Sequence, residues 1–303
     1  MLVLVVLVAG FTLYLDSKLN RVDALADYPG RPAATAGTNW LLVGSDSRAG
    51  LTEQQRKDLS TGDAGGGRTD TIMVLHRSSS GPSTLVSIPR DSYLPIPGHG
   101  KDKLNAAFAI GGPTLLVQSV EQATGLRMDH YAEVGFGGFA GVVDAVGGVN
   151  LCLDQALDDP AAGINLPAGC QHLDGAQALG FVRSRHLYAN QDISRIKNQR
   201  KFLAALLSKA TSPTTALNPL RVIPLATRGV GSLTVDSGDH VWNLVGLGRD
   251  IGSGDLVNTT VPIASTPTVD VGSVVAWDTD RARAFFGDLA ADRPLPPDLI
   301  TTG

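Results

Sequence analysis

Apolar residues along the chain fall into short runs of two kinds. Trp40 to Val43 is continuously apolar and ends at Gly44, as expected for a strand buried on both faces. Thr71 to His76 and Thr84 to Ile88 are β-rich runs separated by the turn-forming stretch Ser78 to Ser83, and they predict a hairpin. His130 to Val134 and Ser273 to Trp277 predict further strands. Helical spacing appears in Phe136 to Val146, which stops at Gly147-Gly148, and in Asp174 to Val182, Asp192 to Lys209, Asp239 to Ile251 and Thr279 to Leu289. Pro113 suits the first turn of a helix running on through Thr114 to Thr124. Strands alternating with helices predict an α/β domain with helices on both faces of a central sheet.

The ends of the chain read differently. Residues 1–15 are uncharged and nearly all apolar, and the polar stretch Asp16 to Arg21 follows at once. As a helix they would reach about 22 Å, against a bilayer core of about 30 Å. No Lys or Arg precedes them and no clear cleavage site follows, so they are expected to be a transmembrane signal anchor whose true start lies upstream. Residues 16–38 contain Pro29, Pro32 and many small residues, and are expected to form a stalk and linker. The folded domain is expected over 39–292, followed by a proline-rich, flexible tail over 293–303.

Length and composition add limits. With 303 residues and ample apolar content the chain can bury a sizeable core. The net charge of −4 provides no general basic field for nucleic acid. The two cysteines, Cys152 and Cys170, suit a disulfide closing a short loop, or else two buried thiols. They have no zinc-ligand spacing.

Charge concentrates at the ends of the predicted strands. Gly44-Ser45-Asp46-Ser47-Arg48 follows one, Gly67-Arg68-Thr69-Asp70-Thr71 precedes one, and Ile88-Pro89-Arg90-Asp91 ends another. A fourth stretch holds Arg183, Arg185, Arg195, Lys197, Arg200 and Lys201, opposed only by Asp192. Strand ends of an open α/β sheet are where ligands usually bind. Acids with arginines, and no readable Ser-His-Asp arrangement, suit a phosphate ligand. Arginine grips phosphate with two parallel hydrogen bonds, and Mg²⁺ takes one or two carboxylates plus phosphate oxygens. Each piece also has an ordinary structural role open to it, as a turn former, a cap or a surface ion pair. His76, His99, His130 and His172 have no metal spacing and are assigned no role, and His186 reads as a hydrogen-bonded structural histidine.

The segments NWLLVGSDSR, GRTDTIMVLHR, LVSIPRDSYLPIPGHGKDKLNAAF, HYAEVGFGGFAGVVDAVGGV, QHLDGAQALGFVRSRH and DISRIKNQRKFL together resemble the LytR-CpsA-Psr family in order and wording. The match is close over residues 39 to about 210 and is one of pattern only from there to about 290. The resemblance implies a three-layer α/β/α sandwich around a central mixed sheet. It also implies Mg²⁺-dependent transfer (Mn²⁺ as the alternative ion) of a phosphoglycan of teichoic acid, arabinogalactan or capsule type. The donor would be a polyprenyl-pyrophosphate-linked glycan and the acceptor peptidoglycan, with pyrophosphate hydrolysis as a side reaction. The partners would include the cytoplasmic membrane and no nucleic acid, with the domain outside a single membrane pass. Carried over, Asp46 and Asp70 are metal ligands. Arg68, Arg90, Arg183, Arg185, Arg195 and Gln199 contact the pyrophosphate; Asp192, Lys103 and Asn105 orient the site. Arg90, Arg183 and Asp91 are the catalytic candidates, Asp91 by holding Arg90. The Cys152 and Cys170 pair resembles a disulfide of actinobacterial members. Asn198 departs from the family, which often has arginine there, and the glycine-rich stretch between Arg48 and Arg68 is a candidate lid. Two other readings compete: a non-catalytic membrane protein that binds polyprenyl phosphate, and a transcription regulator, which would need a cytoplasmic domain.

Overall fold

The computed structural model describes residues 2–46, 52–59, 61, 67, 69–184, 202, 205–206, 209, 219–252 and 255–301. Its centre is a seven-stranded mixed sheet. In spatial order this runs β1 (Asn20–Val22), β12 (Leu233–Asp236), β7 (His130–Val134), β2 (Thr38–Ser45), β3 (Thr69–Arg77), β4 (Thr84–Ile88) and β13 (Val257–Thr260). β7 runs parallel to β2, while β2, β3 and β4 form an antiparallel meander. The expected hairpin is therefore present, with Ile72 opposite Ile88.

Alternate side chains of these strands feed two cores. One face buries Leu41, Val43, Ile72, Val74, Val86, Ile88 and Tyr131 against α3 (Leu104–Thr124) and the last helix, α8 (Thr279–Ala290). The other buries Trp40, Met73, Leu75, Leu85 and Val235 against three helices, α1 (Leu2–Asp16), α6 (Pro219–Gly231) and α7 (Val241–Gly252). Helices on both faces make the expected α/β/α sandwich.

A third apolar cluster joins α4 (Phe136–Ala145) and α5 (Gly175–Arg183) to two small hairpins. In one of these, β8 (Val149–Leu153) pairs antiparallel with β11 (Gly169–Leu173) and places Cys152 opposite Cys170. These two are joined as a disulfide. The other hairpin pairs β9 (Leu157–Asp159) with β10 (Ile164–Leu166).

Several expectations need correction. Residues 16–38 are part of the domain. β1 belongs to the central sheet, and Ala24 lies in the main core. Arg31 forms a buried ion pair with Glu121 of α3 at 3.0 Å, and also donates to the Leu25 and Met128 carbonyls. Prolines and small residues look like a linker in sequence because the ties that fix them are long-range. The tail is docked as well. Leu299, in a short 3-10 turn, is buried in the main core, and the Thr301 N–H donates to Thr259 Oγ1 at 3.0 Å. α3 begins nine residues before Pro113. Gly111 and Gly112 break its geometry, and Pro113 restarts it. Gly125, left-handed at φ 71°, ends it by donating to the Glu121 carbonyl. The single strand expected over Ser273 to Trp277 is two short ones, β16 (Gly272–Ser273) and β17 (Ala276–Trp277), in separate two-stranded pairs. The stretch after Arg48 includes a helix, α2 (Glu53–Asp58), capped reciprocally by Thr52 and Gln55. Most of the helix expected over Asp192 to Lys209, and residues 62–66 of the glycine-rich loop, lie outside the described residues.

No helix among the described residues is long and apolar enough to cross a membrane. α1 has 15 residues.

Candidate active site at the strand ends

Sheet topology brings the acid and arginine segments to one edge. β7 and β2 are parallel, so the chain leaving β2 at Asp46 and the chain entering α4 at Phe136 emerge side by side. β3 is antiparallel to β2, so its first residues, Thr69 and Asp70, start at that edge. β4 ends there too, and Arg90 follows two residues later.

Asp70 and Arg90 each lie two residues beyond the Ile72 and Ile88 pair, where the β3–β4 ladder ends. Arg90 Nη1 donates to Asp70 Oδ1. Its Nε lies 3.4 Å from Asp91 Oδ2, and Lys103 Nζ lies 3.2 Å from Asp91 Oδ1. Asp91 is thus shared by two cations, and an acid held in this way is a positioning group. The four side chains are largely but not fully buried, so they remain open to a ligand.

The loop that carries Arg90 is fastened by its backbone. Leu104 N–H donates to the Ser92 carbonyl and Asn105 N–H to the Arg90 carbonyl, at 2.9 and 3.0 Å. Val275 N–H donates to the Asp91 carbonyl, and Tyr93 N–H to the Val275 carbonyl. Trp277 Nε1 donates to Ser92 Oγ at 2.9 Å. The hairpin of β5 (Tyr93–Ile96) and β6 (Gly100–Lys103) then places Lys103 opposite Tyr93, within reach of Asp91. A site built on such a frame keeps its geometry without a ligand. Asn105 enters through its backbone.

Arg183 reaches the same edge from α5. Asp174 and Gln177 cap the start of that helix reciprocally, and Arg183 is its last residue. Its guanidinium lies 4.7 Å from the Phe136 ring centroid, a cation–π contact. Its Nη1 donates to the Leu59 carbonyl at 3.2 Å, which ties α5 to the segment between Asp46 and Asp70. Phe136 as the platform for Arg183 was not legible in sequence, where it read as one apolar helix residue among several.

Arg68, Arg185, Asp192, Arg195, Asn198 and Gln199 lie outside the described residues. Among the described residues no three His, Cys, Asp or Glu side chains cluster as a metal site. Asp46 and Asp70 stand at adjacent strand ends, two hard oxygen donors of the kind that suits an ion completed by phosphate oxygens.

Two of the histidines assigned no role make structural contacts. His76 is buried, with Nδ1 2.8 Å from Asn39 Oδ1 and Nε2 3.1 Å from Asp292 Oδ1. His130 bonds Asp239 and stacks on Trp40 with centroids 4.3 Å apart.

The arrangement defines a class of protein: an α/β/α sandwich with acids and arginines gathered at the strand ends of its sheet, suited to a polyanionic ligand. Residues 15–284 match the LytR_cpsA_psr family, and the chain belongs to that family. It is 56% identical over 285 residues to the probable cell wall biosynthesis protein LcpB of Corynebacterium glutamicum, covering 94% of this chain and 68% of LcpB. It is 39% identical over 184 residues to the polyisoprenyl-teichoic acid–peptidoglycan teichoic acid transferase TagU of Oceanobacillus iheyensis, covering 57% of this chain and 52% of TagU. The fold matches the LytR-Csp2A-Psr enzyme from Actinomyces oris with a TM-score of 0.70 and 25% identity, over 90% of this chain and 96% of that one.

Proposed function

We propose that this chain transfers a phosphoglycan from a polyprenyl-pyrophosphate carrier to a hydroxyl of peptidoglycan, outside the cytoplasmic membrane, with its N-terminal helix as the anchor. The observation that carries the proposal is the Asp70, Arg90, Asp91 and Lys103 chain at the strand ends, with Arg183 brought to the same edge. The naming of TagU as a teichoic acid transferase supports the substrate class.

In this reading Arg90 and Arg183 hold the diphosphate, each able to make paired hydrogen bonds to its oxygens. Asp91 and Lys103 keep Arg90 aimed. The acceptor oxygen attacks the phosphorus bonded to the glycan and forms a new P–O bond. The bond from that phosphorus to the bridging oxygen breaks, and polyprenyl monophosphate leaves with the electron pair. The hydroxyl proton passes to solvent. Charge grows on the bridging oxygen as it leaves, and arginines fixed in advance stabilise it. Asp46 and Asp70 would hold Mg²⁺, which supplies charge neutralisation at the phosphate oxygens. Water replacing the acceptor would give hydrolysis as the side reaction.

The test is to incubate the full chain, Mg²⁺, a polyprenyl-pyrophosphate-linked oligosaccharide and peptidoglycan, then to analyse the digested wall by mass. A phosphodiester-linked glycan on the wall is expected. Unchanged donor would leave a binding protein without catalysis, and glycan phosphate released only to water would make it a hydrolase.

A further inference from the structure

Away from the strand-end site, on the opposite helical layer, the surface carries an exposed apolar face. α1 has no charged residue before Asp16, and most of its described side chains are exposed, Val5, Leu7, Leu13 and Tyr14 among them. Its last turn is locked to the domain: Leu15 and Leu19 enter the core beside Val241. Asp16 accepts from Arg21 at 2.8 Å, lies 3.1 Å from His240 Nδ1, and accepts from the Val241 N–H at 3.0 Å. The point where the apolar helix leaves the domain is therefore pinned to the start of α7.

That start carries a tryptophan that the fold does not bury. Trp242 is 51% exposed and rests on His240, with ring centroids 4.2 Å apart. Val245 is 65% exposed, and Arg249 is exposed. Spacings of three and four residues put these three on one side of the helix. On the α1 side, Lys18 Nζ lies 5.2 Å from the Tyr14 ring centroid.

We infer that Tyr14, Lys18, Trp242, Val245 and Arg249 form a second membrane foothold, lying in the headgroup layer of an anionic phospholipid surface where α1 enters it. The inference rests on the membrane placement in the proposed function. A lipid surface fits better than a protein partner for two reasons. The patch continues a helix that is uncharged before Asp16 and whose exposed apolar side chains run along its length. Its chemistry is that of an interface belt, with tyrosine and tryptophan at headgroup level and cations placed to meet lipid phosphates. The Asp16 clamp then fixes how the domain leans on the bilayer, so the helix is more than a flexible tether.

The test uses the full chain reconstituted into vesicles of phosphatidylcholine and phosphatidylglycerol with brominated acyl chains, which quench tryptophan at the interface. Trp40 is buried and Trp277 packs partly buried against the main core, on the other face of the sheet from α7, so the quenching that Trp242→Phe removes reports Trp242. Wild-type emission should fall relative to unbrominated vesicles, the fall should vanish in Trp242→Phe, and Val245→Glu should reduce it. Equal quenching in wild type and Trp242→Phe, or none in either, would overturn the foothold. Protection of Trp242 by pairing of two copies, seen as concentration-dependent cross-linking without quenching, would overturn it as well. Transfer from a detergent-solubilised donor should be unchanged in Trp242→Phe, so loss of the foothold and loss of the transferase reading give different results.

Discussion

Arg90 donates to Asp70 at the end of the sheet, each lying two residues past the buried Ile72 and Ile88 pair that closes the β3–β4 ladder. The pairing places a cation and an anion where the sheet ends and a ligand can reach both. Arg90→Lys keeps the charge but loses the planar fork, and Asp70→Asn keeps the shape but loses the charge. Each should lower the transfer rate by about 100-fold or more, with circular dichroism unchanged. Initial rates under saturating donor would check this.

Asp91 joins two cations, Arg90 at 3.4 Å and Lys103 at 3.2 Å, whereas Lys103 acts at the site through Asp91. Asp91→Ala should therefore cost more than Lys103→Met, since it frees Arg90 and leaves Lys103 without its acid. The loss in Lys103→Met should be about tenfold. Because both act through Arg90, kcat should fall in both variants more than KM rises, as steady-state kinetics would show.

The Arg31 and Glu121 pair is a test of how far the folded domain extends. The side chains are 7% and 0% exposed, and Glu121 also accepts from the Met128 N–H. Arg31→Ala leaves a buried carboxylate uncompensated, which should cost about 3–5 kcal/mol. Urea unfolding would measure it. A true linker residue would show almost no effect.

Asp292 closes a second network. The Ser79 hydroxyl pulls its carboxyl well below the ordinary carboxylate range; burial opposes this, and the Ser78 hydroxyl, the Ser79 N–H and His76 add to the lowering. A carboxyl lowered in the folded state adds stability above its unfolded value of about 3.9, and that stability fades as pH falls toward the folded value. Asp292→Asn should therefore be less stable than wild type at neutral pH, with the gap closing in strong acid. Thermal melts across an acid series would reveal it.

Much of the architecture was legible from local pattern. The Trp40 to Val43 run, the hairpin around Ser78 to Ser83 and the glycine stop at 147–148 are written in neighbouring residues. What escaped was long-range. Arg31 finds Glu121 ninety positions away, and Thr301 finds Thr259. Proline and small residues therefore look loose until their distant partners are known. The same distinction holds at the site. That Asp46, Asp70 and Arg90 stand at neighbouring strand ends follows from three motifs beside apolar runs, so it could be anticipated. The contact of Arg183 with Phe136, and its bond to the Leu59 carbonyl, depend on how α4, α5 and α2 pack.

The account depends most on Arg90 and Arg183 gripping one diphosphate. Calorimetric titration of a polyprenyl pyrophosphate into detergent-solubilised full chain tests this directly, with wild type, Arg90→Ala and Arg183→Ala measured at the same salt. Each substitution should weaken binding about tenfold or more while the melting temperature holds. Wild-type affinity in both variants would contradict the shared cradle.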